Sequence, residues 1–203
     1  MGKKIISPKR MAILMALIAL VSFGYKLTLG ILATSLVMII AAIPTFFIFV
    51  CKASYARNMH QTRKEKKKAY LIMAVATTCF VTVFILFSIL KVGGIDITNQ
   101  NRFEGWIGIL FIAFIILMFI LSIINLKGAL NRTDIVVIGI KEITFVSALT
   151  DAIMIEEFLY RVLIAYLEIP YIEYVNQYFP LAVGVIMLFV PIFMFRRYFK
   201  YEE

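Results

Sequence analysis

Apolar runs of about twenty residues recur along this chain, and they leave it few choices of fold. A run of that length without alternation suits a helix crossing a hydrocarbon slab of about 30 Å at about 1.5 Å per residue. Such runs fall at about 11–29, 31–51, 70–90, 106–126 and 179–195, with a sixth, charged one at 134–166. Strands of a membrane barrel alternate over about ten residues instead. The predicted fold class is therefore all-α, a polytopic transmembrane helical bundle forming one integral membrane domain over 1–203. Six spans are expected, with five as the alternative. A chain that is 63% hydrophobic and 16% charged is not an ordinary soluble domain, in which about a quarter of residues are charged.

The bases orient this bundle. The head carries Lys3, Lys4, Lys9 and Arg10. A basic loop at 52–69 carries Lys52, Arg57, Arg63, Lys64, Lys66, Lys67 and Lys68 against a single Glu65. Lys127 and Arg132 lie in the next connector on that side, and Arg196, Arg197 and Lys200 near the C-terminus. Only Lys26, Lys91 and Arg102 fall on the other side. Bases gather on the cytoplasmic side of membrane proteins, so both termini are expected inside, in the cytoplasmic membrane. The net charge of +9 then reads as topology rather than nucleic-acid binding. The seven bases of the 52–69 loop are candidates for contact with anionic lipid headgroups, at about 1 kcal/mol each near the surface.

Several local expectations follow. Lys26 should snorkel to the interface, Gly30 should permit a tight reversal, and Pro44 should kink the second span. Thr77, Thr78, Cys79, Thr82 and Ser88 should bond back to their own helix or to a neighbour. Residues 91–105 and 168–178 read as loops on the outer side, and Trp106 as an interfacial anchor. No removable leader is expected, because the first apolar run passes almost directly into the second. Cys51, Cys79 and His60 are too few for a structural zinc site of about four ligands, so no metal or cofactor is expected.

The stretch from Thr133 to Leu167 is the exception among the apolar runs. It carries Lys141, Glu142, Asp151, Glu156, Glu157 and Arg161, and charges at membrane depth need partners or a watery cavity. On a helical wheel Lys141, Thr144, Ser147 and Asp151 share one sector, a polar stripe whose first functional reading is the lining of a cavity or of a route for protons or cations. Glu157 and Arg161 stand at i and i+4 in the favourable order for a helical ion pair. Glu156, Glu157 and Arg161 together read as a second candidate, an intramembrane site, and a structural reading competes with both: the charges satisfy one another or a partner subunit and so fix the packing.

Ile155–Ile164, I-E-E-F-L-Y-R-V-L-I, resembles the first motif, E-E-x-x-x-R, of the CPBP family of CAAX protease and bacteriocin-processing intramembrane proteins. The resemblance implies that Glu156 is a base activating water and Arg161 the organiser of the site. That family continues with histidines in later helices, and here no histidine follows Arg161. Nucleophile-elbow, P-loop and potassium-filter patterns are also absent. The expected function is therefore non-enzymatic: a subunit or accessory of a membrane transport or export assembly. A membrane immunity or stress-protection protein and a degenerate CPBP-like protein are the alternatives. The expected partners are the bilayer itself and another membrane protein or a second copy.

Overall fold

The computed structural model describes residues 8–32, 36–57, 62–94, 106–130, 134–167 and 172–201. These residues form helices and their caps, with no strand among them. The helices are α1 (Pro8–Leu32), α2 (Leu36–Arg57), α3 (Arg63–Val92), α4 (Trp106–Leu130), α5 (Ile135–Leu167) and α6 (Ile172–Lys200). Stretches of three, Ile39–Arg57, Arg63–Val92 and Tyr174–Lys200, are long and apolar enough to cross a membrane. Shorter apolar pieces lie in α1 and α4, at Ala12–Thr28 and Ile115–Gly128. Ile, Leu, Val and Phe side chains are exposed along the outer faces of α1, α3, α4 and α6. An apolar exterior over helices of this length is the surface of a membrane protein.

Several boundaries differ from those expected. Gly30 lies inside α1 rather than at a reversal, and α2 runs on through Arg57. The 52–69 segment is therefore mostly helix ends, joined through residues 58–61. Likewise α6 begins at Ile172, so most of the expected 168–178 loop is helical, with Pro180 and Pro191 both inside the helix. Polar residues at a helix end need not leave the helix, since charged side chains on an overhanging turn are solvated or paired. His60, Asn99–Asn101, Thr133 and Pro170, with the side chains of Trp106 and Arg161, lie outside the described residues.

The first turn of α3 is held by a reciprocal cap. The Thr62 hydroxyl accepts from the Glu65 backbone N–H at 3.4 Å, and the Glu65 carboxylate accepts from the Thr62 N–H at 2.7 Å. Such a box satisfies two of the N–H groups that a helix start leaves open. Asp134 caps α5 in a similar way, its Oδ1 accepting from the Val136 N–H at 3.0 Å.

Side-chain contacts set the directions of several packed helices. Phe23 meets Phe46 with ring centroids 4.9 Å apart, which sets α1 antiparallel to α2 together with the packing of Ala19 near Ile48 and Cys51. Arg63 donates to the Tyr201 carbonyl at 2.7 Å, while Lys91 at the other end of α3 donates to Asn176 at 3.0 Å. These contacts make α3 and α6 antiparallel. The start of α3, the start of α5 and the end of α6 thus share one end of the bundle.

The middle of the bundle is α5. It packs against α2, α3, α4 and α6, and no described side chain from Ile135 to Glu157 is exposed. Two apolar clusters surround it. One includes Tyr70, Met73, Ile140, Ile143 and Met194, and the other Val81, Phe84, Val146, Ile153 and Met187. Gly139 permits the close approach of α3: a Cβ there would lie 2.8 Å from the Tyr70 ring.

Candidate functional site: an ion-paired central helix and its polar seam

A helix enclosed on every side has no water to offer its charges, so each must find a partner from another helix. Four acids of this region do so, each with a base from a neighbouring element. Asp134 accepts from Lys66 of α3 at 2.6 Å. Glu142 is bonded by Arg197 of α6 and accepts from the Tyr70 hydroxyl at 2.9 Å. Asp151 accepts from Lys26 of α1 at 2.5 Å. Glu157 pairs with Lys91 of α3 at 3.2 Å. Successive rungs thus tie α5 to α3, α6, α1 and α3 again.

One of these pairs corrects the sequence reading. Lys26 does not snorkel outward; it is 5% exposed and reaches Asp151, itself 6% exposed. The buried acid is a stronger reason for the lysine's position than the interface is, because desolvating one charge without the other is costly. Glu157 has Lys91 of α3 as a base, and its expected pairing with Arg161 falls on a side chain outside the described residues. The signal was present in the sequence: Lys26 is a lone base inside an apolar run, and such a base requires an acid at its own depth.

The predicted stripe is partly assembled around Asp151. Thr144, Ser147 and Asp151 line one cavity with Ser22, Tyr25 and Lys26 of α1, Thr45 and Lys52 of α2, and Ser122 of α4. Its volume is about 60 Å³, room enough for a few waters or a small ion. Lys26 also donates to the Thr45 hydroxyl at 3.1 Å, and Thr45 and Ser147 share a hydrogen bond of 3.1 Å. Polar residues one or two helical turns apart on α1, α2 and α5 therefore meet in a common seam. Lys141, the remaining member of the stripe, is half-buried beyond Thr144 and exerts a like-charge interaction on Lys52.

The hydroxyls of α3 behave differently. Thr77, Thr78 and Ser88 donate to the carbonyls of Met73, Ala74 and Phe84 at 2.7–2.9 Å, satisfying themselves within their own helix as expected. Cys79 is exposed and Cys51 buried.

At the far end Glu156 is half-buried, and its Oε2 has no hydrogen-bond partner. No cluster of three metal-binding side chains occurs among the described residues. Of the seven bases expected to contact lipid, Arg63 and Lys66 have the partners named above. Lys67 lies over the Tyr198 ring at 4.6 Å, Lys52 lines the seam, and Arg57, Lys64 and Lys68 are exposed.

Known protein families, curated proteins and solved structures contain no match to this chain. The ten-residue likeness at Ile155–Ile164 accordingly stands on its own motif.

Proposed function

We propose that this chain is a six-pass protein of the cytoplasmic membrane, with both termini inside, that serves a transport or export assembly as a subunit or accessory. The observation that carries this reading is the buried Lys26–Asp151 pair opening on a hydroxyl-lined seam at the centre of the bundle. A pair placed only for packing would be closed over by apolar side chains, whereas this one adjoins space and donors. The antiparallel packing of α1 with α2 and of α3 with α6, and the gathering of Arg57, Arg63, Lys64, Lys68, Arg196 and Lys200 near one end, support six crossings with that end cytoplasmic. The proposal assigns the chain no catalytic chemistry of its own, and the resemblance of Glu156 and Arg161 to a protease motif supplies no histidine partner.

The test is ion flux into sealed membrane vesicles from cells producing the chain, followed with trapped pH-sensitive and chloride-sensitive dyes. Asp151→Asn frees Lys26 and should abolish the flux that the wild-type chain adds, at equal abundance in the membrane. Flux unchanged by the substitution overturns the proposal.

A further inference from the structure

The seam around Asp151 has a sign. Asp151 is neutralised by Lys26 at 2.5 Å. That leaves Lys52, which lines the same cavity and pairs with no acid among the described residues. The remaining polar lining is largely hydroxyl: Ser22, Thr45, Ser122, Thr144 and Ser147. A seam whose acid is already neutralised and which keeps the Lys52 ammonium, walled by apolar helices, favours an anion over a cation.

A second observation points to an occupant. Ser122 is 4% exposed, lines this cavity, and its Oγ has no hydrogen-bond partner. Serine in an apolar helix ordinarily bonds back to the carbonyl one turn earlier, as Thr77, Thr78, Ser88 and Thr144 do here. Ser122 forgoes that bond, and a buried hydroxyl left open is costly unless something in the cavity accepts from it.

We propose that the seam between α1, α2, α4 and α5 binds a small monovalent inorganic anion of chloride size, held by the Lys52 ammonium and the Ser122 hydroxyl. The cavity of about 60 Å³ admits a halide and excludes organic anions such as gluconate. The proposal deepens the transport reading, and rests on it only for the use to which the site is put.

The experiment measures the thermal unfolding midpoint of the purified full chain in detergent. Chloride replaces gluconate stepwise at constant ionic strength. A saturable rise in the midpoint is expected for the wild type, repeated with bromide. Lys52→Met and Ser122→Ala should each raise the half-effect concentration about tenfold, the loss of one hydrogen bond to a charged ligand. The proposal is overturned by a midpoint indifferent to chloride and bromide, which makes the seam a water site. A rise equal in the wild type and Ser122→Ala also overturns it, even where Lys52→Met fails to fold. Anion binding without vesicle flux overturns the transport reading alone, and flux without binding overturns the anion site alone.

Discussion

At the scale of single residues, the decisive feature is how a buried charge is compensated. Lys26 and Asp151 are each nearly inaccessible, so removing one strands the other. Lys26→Met and Asp151→Asn should each destabilise the chain by about 3 kcal/mol, and the double variant should cost less than the sum. Denaturation in graded detergent mixtures checks the coupling, and strict additivity means the pair is not formed. Gly139 yields a second prediction. A methyl group at 2.8 Å from the Tyr70 ring forces α3 and α5 apart, so Gly139→Ala should cost about 1–3 kcal/mol despite its better helix propensity. A neutral or stabilising effect in the same assay contradicts the close approach. Sequence reading singled out Asp151 but not its partner, because Lys26 is distant in the chain and only the folding of α1 against α5 brings them together.

Among the elements, α5 is the one whose composition departs most from its neighbours, and its position explains the departure. It is packed on four sides, so its charges serve as joints to other helices rather than as a lipid-facing anomaly. The Glu157–Lys91 joint is open to a swap. Lys91→Glu or Glu157→Lys alone should lower stability by about 1–2 kcal/mol through a buried like-charge contact, and the reciprocal double variant should recover most of it. A double variant no more stable than the singles shows that α3 and α5 are not joined there. The wheel drawn from sequence placed Thr144, Ser147 and Asp151 on one face, and they share one cavity. Glu142, one residue from Lys141, turns to the opposite face and meets Arg197 and Tyr70; periodicity predicts the face but not which helix lies against it.

For the whole molecule, the prediction concerns sidedness. Cysteines introduced at residues 59, 99 and 202, with Cys79→Ser as background, should divide under a membrane-impermeant thiol reagent in intact cells. Only the residue-99 variant should label; labelling at 202 overturns the six-pass arrangement. Co-purification after mild detergent extraction should also yield a stoichiometric membrane partner, and a solitary chain counts against the assembly reading. The shared placement of Lys66 with Asp134, and of Arg63 with Tyr201, supports the sidedness by bringing three helix ends together.

What the sequence determined by itself is the class: the length and uniformity of the apolar runs admit helices, and a chain so apolar belongs in lipid. It also marked the helix whose charges needed partners or a watery cavity, since acids inside an apolar run are tolerated only there. The pairing was decided by tertiary structure alone. Which base meets which acid depends on the rotation and direction of each helix about α5, and residues far apart in the chain carry no local trace of that choice. The same holds for the seam, whose hydroxyls are ordinary on each helix and become a site only where four helices bring them to one cavity.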